Sequence, residues 1–258
     1  MNLDLLNKSC KNGRFITTKS YKKEIDLNLR VSEPESSTEY WRLPRPGELG
    51  ELGPGQDFVH SGIVYHSNKD IKKPLVDFVA NGSGEQRALL LDRDGILIKD
   101  TDYPGKVEDV FFLDDILPVL EMFQSAGYVI AVLTNQSGIG RGKYSESDYA
   151  ETTDYIEEYY RSKGIEIKKT YYCPFHPEAK IDQYRKISGY RKPNPGMALL
   201  AAQDLSLDLS KSIMLGDKQS DRLNIGYLSA YIIGTRDPAS DFKTFAEFKQ
   251  FIQPKLEL

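Results

Sequence analysis

Four short stretches carry side chains of the kinds that handle phosphate. LLLDRDG holds Asp92 and Asp94, VLTNQSG holds Thr134, Asn135, Gln136 and Ser137, RKPNPG holds Arg191 and Lys192, and MLGDKQSD holds Asp217, Lys218 and Asp221. Residues i and i+2 of an extended chain project to the same side, so Asp92 and Asp94 can address one atom. Carboxylates gathered in one place need a counter-charge, and an oxygen-ligated Mg²⁺ is the natural one. Cations and a hydroxyl around such a centre suit a phosphoryl group. Taken singly, an aspartate at a strand end is more often a helix cap or turn former than a catalyst. Asp221 can join the site, or bond backbone or a lysine instead.

Other readings of the same residues fail on spacing. If Asp92 opened a calcium loop, position 6 would be Leu97 rather than Gly and position 12 would be Tyr103 rather than Glu. In SGIGRGK, Gly138, Gly140 and Gly142 miss the dinucleotide fingerprint because Lys143 takes its last glycine position. Tyr144 spoils a P-loop ending there. These glycines read as a turn before a helix.

The elements that position the four stretches are legible from residue 87 onward. Ala88 to Leu91, Tyr128 to Leu133, Thr170 to Cys173, Ile213 to Leu215 and Tyr231 to Ile233 read as short strands. They are apolar on both faces, as parallel strands covered on both sides are. Ile116, Leu117, Leu120 and Phe123 recur at helical spacing, with Gly127 as a stop. A second helix starts at Ser145, with Asp148 completing a capping box, a third follows Pro195, and a fourth spans roughly 220–228. Alternating strands and helices predict an α/β domain, in which binding groups collect at the carboxyl ends of the strands.

The chain has 258 residues, which suits one large domain, or an ordinary one with an appendage. Residues 86–258 form the regular part. Residues 1–85 read as an irregular extension with short apolar pieces at 57–65 and 74–80, and no chemistry is legible in them. Lys and Arg number 34 against 38 Asp and Glu, so no basic excess points to nucleic acid or an anionic membrane. Two cysteines make no disulfide framework, no apolar run approaches the roughly 20 residues of a membrane span, and the first residues lack the layout of a signal peptide. The expectation is a soluble, cytoplasmic protein whose oligomeric state is open.

LLLDRDG, VLTNQSG, RKPNPGM and MLGDK, in that order, resemble the four motifs of the haloacid dehalogenase-like phosphatases. The longer strings TNQSGIGRGKYSE and YYCPFHPE are similar to its heptose bisphosphate branch, and histidinol-phosphate phosphatases share much of the pattern. The resemblance covers roughly 87–236 and implies a Rossmann-like parallel sheet with helices on both faces. It implies a small phosphorylated sugar as substrate, with no nucleic acid or membrane partner.

By resemblance, Asp92 is the nucleophile that forms an aspartyl-phosphate, and Asp94 the acid and base that serves the leaving oxygen and then the water. Mg²⁺ sits on Asp92, Asp217 and the main-chain carbonyl of Asp94. Thr134 and Lys192 hold the transferring phosphoryl oxygens, and Arg191 recognises the substrate. Asp100, Tyr103, Asn135, Gln136, Ser137 and Lys218 match substrate-contacting stretches.

The heptose branch usually carries a structural zinc, bound through Cys-x-His and a later Cys-x-Cys. Here Cys173 remains, but Phe175 stands in the histidine's place, and Ser188 and Tyr190 in those of the cysteine pair. His176 cannot restore a closed tetrahedral set, so no zinc is expected. Cys173 then reads as a small buried residue, with Tyr171, Tyr172, Phe175 and Tyr190 packing the loop. Ile96 replaces the usual threonine after DRDG.

Overall fold

The computed structural model describes residues 85–225 and 228–256. The apolar pieces expected at 57–65 and 74–80 lie outside the described residues. Five strands form one parallel sheet: β1 (Ala88–Leu91), β2 (Val129–Asn135), β3 (Ile167–Cys173), β4 (Ile213–Gly216) and β5 (Ser229–Ile232). Their order is β3-β2-β1-β4-β5, so the chain starts in the middle, winds outward through β2 and β3, then returns to the other side of β1. Such an order places the switch point between β1 and its neighbours, where an α/β sheet opens a crevice at its carboxyl edge. Register pairs Leu91 with Val132 on one side and Leu215 on the other.

The strands read as unbroken apolar runs because each face is covered. Ala88 and Leu90 point into one core with Leu133, Met214, Met197 and Leu199, while Leu89 and Leu91 point into the other with Ile130, Val132 and Leu215. The first core is capped by α4 (Gly196–Asp204), whose side chains are apolar nearly all round. The second is capped by α1 (Leu117–Ser125), α3 (Glu146–Ser162) and α5 (Phe245–Leu256), with Phe123, Ile156, Tyr160, Phe248 and Ile252 buried. Ile96 falls in this second core, fully buried, where a threonine would bring a hydroxyl.

The capping box at Ser145 forms as expected: its hydroxyl accepts from the Asp148 N–H at 3.0 Å, and the Asp148 carboxylate accepts from the Ser145 N–H at 2.7 Å. Gly127 ends α1 with φ at +78°, a conformation costly to any residue with a Cβ. The glycine-rich turn winds into one helical turn, α2 (Ser137–Gly140).

Two expectations need correction. No α-helix forms across the described part of 220–228: a 3₁₀ turn at Gln219–Asp221 gives way to irregular chain. Asp221 turns inward to accept the Lys218 N–H, and the Asn224 N–H is drawn to the carbonyl of Pro193, so the backbone bonds a helix needs are spent elsewhere. α5 was not expected; its signal was Phe245, Phe248 and Ile252 at helical spacing.

Candidate active site

The Asp92 N–H bonds the carbonyl of Leu215 at 2.9 Å, carrying the β1–β4 ladder one residue past the strand end. That leaves the Asp92 side chain at the sheet's rim beside Asp217 and Asp221. Gly95 then turns the chain at φ +89°, and a Cβ there would lie 2.3 Å from Asp217 Oδ2, so glycine is required both for backbone and for space. A Cβ at Gly216 would lie 2.2 Å from the Asp221 carboxylate, which is how that side chain reaches the centre.

Ligand atoms of Asp92, Asp217 and Asp221 all lie within 4.8 Å of one another, and all three residues are buried. Lys192 Nζ sits 2.8 Å from Asp92 Oδ1 and 2.6 Å from Asp221 Oδ1. Burial opposes the lysine's charge, but Asp221 and Asp92 outweigh it and hold the ammonium protonated, its pKa above the usual value. One lysine does not balance three carboxylates. Burial and then the Asp92 charge push Asp217 up to about 7. Asp217 Oδ1 is buried without a hydrogen bond, with Lys218 Nζ 3.9 Å away. An oxygen left in that state costs free energy unless a cation meets it, so the three carboxylates fit a hard divalent ion.

Asp94 is held by different partners. Arg93 Nε donates to its Oδ1 at 2.7 Å and Gln136 Nε2 to its Oδ2 at 3.2 Å. Burial raises its pKa, against the Arg93 charge. A half-buried carboxyl biased toward its protonated form beside a carboxylate nucleophile is the pairing that an acid-assisted displacement needs.

The expected substrate contacts divide. Asn135 clamps the main chain of Lys192, accepting its N–H at 2.9 Å and donating to its carbonyl at 3.1 Å. Gln136 is 1% exposed, and its amide is spent on Asp94, Thr134 and Tyr144. Ser137 is buried at the start of α2. Asp100 is held by Lys218 Nζ at 3.0 Å and Arg236 Nη1 at 2.9 Å. These charges and the Asp102 N–H hold its pKa low, against burial. Asp102 and Tyr103 follow with φ of 62° and 68°, a strained pair for residues with side chains. The Tyr103 ring packs with Ile139, Tyr144 and Tyr149.

The loop from Cys173 to Arg191 is held by apolar packing and main-chain contacts. Cys173 is fully buried in the first core, with Phe175 and Tyr190 packed against it. Tyr171 lies in the same core, whereas Tyr172 packs with Tyr149 and Ile139. The Arg185 side chain donates to the carbonyls of Ala179 and Lys180, and the Ile181 N–H to that of Gly140, tying the loop to α2.

At the end of that loop Arg191 meets a residue not singled out from the sequence, Arg141. Arg191 Nη1 and Arg141 Nε are buried without hydrogen bonds. Arg141 Nη2 lies 3.3 Å from His176 Nε2 and 3.6 Å from the exposed carboxylate of Glu178. Burial and the charges of Arg191 and Arg141 lower the His176 pKa, and burial with Arg141 lowers that of Arg191. Among the described residues, three basic groups thus face one another with one exposed carboxylate, Glu178, at the edge. Asp221, read from the sequence as able to join the site or to bond backbone or a lysine, bonds Lys192 and the Lys218 N–H while standing in the carboxylate cluster. Arg93 was not singled out; a charged residue turned fully inward has no periodic signal of its own.

Comparison with known proteins gives the family. A family model described as Polynucleotide kinase 3 phosphatase matches residues 89–247. D-glycero-alpha-D-manno-heptose-1,7-bisphosphate 7-phosphatase of Burkholderia mallei is 44% identical over 137 residues, 53% of this chain and 72% of that protein. D-glycero-beta-D-manno-heptose-1,7-bisphosphate 7-phosphatase of Escherichia coli K12 is 34% identical over 134 residues, 52% of this chain and 70% of that one. Among solved structures, a had-like phosphatase from Mesorhizobium loti superposes with a TM-score of 0.60 at 29% identity, over 67% of this chain and 87% of its own. D,D-heptose 1,7-bisphosphate phosphatase from B. bronchiseptica, complexed with magnesium and phosphate, shares the fold with a TM-score of 0.55 at 19% identity, over 66% and 99%.

A parallel sheet with acidic groups at its carboxyl rim defines an α/β phosphatase of the haloacid dehalogenase-like class. The chain belongs to the family described as Polynucleotide kinase 3 phosphatase, and the curated relatives it matches include heptose bisphosphate 7-phosphatases.

Proposed function

We propose that residues 86–258 hydrolyse a phosphate monoester of a small sugar carrying two phosphates, removing the 7-phosphate of a D-glycero-D-manno-heptose 1,7-bisphosphate. Asp92 attacks phosphorus, the bond to the sugar oxygen breaks, and Asp94 supplies the proton that oxygen needs. Asp94 then takes a proton from the water that attacks the aspartyl-phosphate, releasing inorganic phosphate and restoring Asp92. Thr134 and Lys192 hold phosphoryl oxygens, and Lys192 also pairs with Asp92 at 2.8 Å. Asp92, Asp217, Asp221 and the Asp94 carbonyl would hold Mg²⁺, which when bound screens nucleophile from phosphate and offsets charge developing on the phosphoryl group. The absence of a long apolar helix among the described residues accords with work on a water-soluble metabolite.

The observation that carries the second phosphate is the arginine corner. Arg191 directly precedes Lys192, and its buried Nη1, with that of Arg141 Nε, has no partner until an anion arrives. Guanidinium forks suit phosphate. Relatives of both anomeric descriptions match, so anomer preference is read from the assay. The test is phosphate release from both heptose bisphosphate anomers, the matching monophosphate, histidinol phosphate and a 3′-phosphorylated oligonucleotide, with Mg²⁺ and with chelator. Mg²⁺-dependent release favouring a heptose bisphosphate supports the reading. Preference for the oligonucleotide would replace the sugar with a polynucleotide end, as the family description allows. The chain's net charge of −4 works against that polyanion.

A further inference from the structure

Gln136 came from the sequence as a substrate contact, yet its amide faces inward and all three of its polar directions are spent. Nε2 donates one hydrogen to Thr134 Oγ1 at 2.7 Å and the other to Asp94 Oδ2 at 3.2 Å. Oε1 accepts from the Tyr144 hydroxyl at 2.5 Å. The tyrosine ring is itself fixed: a Cβ on Gly105 would lie 1.9 Å from it, and one on Gly138 2.3 Å. Those two glycines form the slot in which it lies. On the other side of Asp94, Arg93 Nε donates to Oδ1 at 2.7 Å, and Arg93 Nη2 is anchored to the carbonyl of Pro104 at 2.6 Å.

We infer that Tyr144, Gln136 and Arg93 are positioning residues that set the polarity of the two groups meeting the phosphate ester, the Asp94 carboxyl and the Thr134 hydroxyl. The inference rests on the proposed acid role of Asp94. A tyrosine hydroxyl has one hydrogen, and spending it on Oε1 fixes which end of the amide faces the site. Were the amide turned over, its oxygen would oppose the carboxylate of Asp94. In the observed orientation Thr134 Oγ1 accepts from Nε2, so the hydroxyl's own hydrogen is left to donate to a phosphoryl oxygen. Asp94 Oδ1 is pinned by a charged donor at short range, whereas Oδ2 has a neutral donor at longer range. Oδ2 is therefore the oxygen held less tightly and left to serve the leaving oxygen as the phosphorus–oxygen bond breaks.

The test separates positioning from substrate contact by changing only the leaving group. A series of substituted phenyl phosphates spans leaving-group basicity with one shape, and kcat/KM reports steps up to formation of the aspartyl-phosphate. A poor leaving group depends on the acid, whereas a nitrophenolate departs without it. For Tyr144→Phe the loss for phenyl phosphate should exceed the loss for nitrophenyl phosphate by about tenfold, the worth of one hydrogen bond in the acid's setting. Gln136→Met, which keeps volume and removes both donors, should steepen the dependence further, toward that of Asp94→Asn. An equal loss across the series would overturn the inference and return Gln136 to substrate contact. If Gln136→Met does not fold, Tyr144→Phe decides alone, since it removes a single oxygen. If Asp94→Asn itself shows no leaving-group dependence, the acid assignment fails. If the wild-type protein with Mg²⁺ turns over no ester, the proposed function fails.

Discussion

Two corners of the same rim are charged in opposite senses. At the end of β1 and β4, three buried carboxylates gather around one lysine, and an Asp217 oxygen is left without a donor. At the end of the 173–191 loop, two arginines and a histidine gather with Glu178 as the one nearby carboxylate among the described residues, and two guanidinium nitrogens are left without an acceptor there. Neither corner is neutral by itself, and each imbalance names its complement. The first wants a cation, the second an anion. A phosphorylated substrate with its divalent ion satisfies both, which is why the two imbalances can persist in a folded protein without being selected away as mere strain.

The carboxylate corner is where a single change should do most. Asp92→Asn keeps the shape and removes the nucleophile, and phosphate release should fall on the order of 10³-fold or more while circular dichroism stays native. Lys192→Met removes the buried counter-charge between Asp92 and Asp221, leaving both without it. Urea unfolding in chelator should show a loss of about 3–5 kcal/mol. Because a divalent ion would then supply the missing positive charge, Mg²⁺ should raise the melting temperature of Lys192→Met more than that of the wild type. A variant as stable as wild type in chelator would mean that the corner is not held by this lysine.

The arginine corner should respond differently. Arg191→Met should lower kcat/KM for a bisphosphate by about 10- to 100-fold, the range for a lost charge-assisted bond. The loss for a monophosphate of the same sugar should be at least tenfold smaller. Arg141→Met should follow in the same direction with a smaller effect, since its Nη2 already faces His176. Equal losses for both esters would merge the two corners into one electrostatic field and remove the distal anion.

How much of this was legible depended on whether a residue's role is local. Asp92, Asp94 and Asp217 announced themselves because they end apolar strands, and the alternation of β1, β2, α3, α4 and β4 followed from burial on both faces and from the Ser145 cap. The inner contacts did not. Asn135 and Gln136 sit in the same motif as Thr134, yet the fold turns one to the Lys192 backbone and the other to Asp94, and only the three-dimensional path of β2 past 192 decides that. The helix read at roughly 220–228 is one that the inward pull on Asp221 prevents over its described part. Arg141 lay within a turn whose glycines drew attention away from it. Residues whose partner is more than 30 positions distant carry no periodicity to read.

The smallest effect expected is one that should leave both corners untouched, and it calibrates the rest. Ser145→Ala removes the α3 cap, more than one helical turn from any rim carboxylate in sequence, and should cost about 1 kcal/mol in urea unfolding. Its partner gives the change a pH signature. The Ser145 N–H, with its hydroxyl, holds the Asp148 carboxyl below the ordinary aspartate value. A carboxyl depressed in the folded state contributes stability above its unfolded pKa, near 3.9, and loses it as pH falls through the lower folded value. The gap between wild type and Ser145→Ala should therefore hold steady at neutral pH and narrow below about pH 4. Over the neutral range, kcat/KM for mono- and bisphosphates should stay together in this variant. If Ser145→Ala instead separated the two esters, α3 would be coupled to the arginine corner through Tyr149 and Tyr172, and the contrast between the corners would extend into the helix that flanks them.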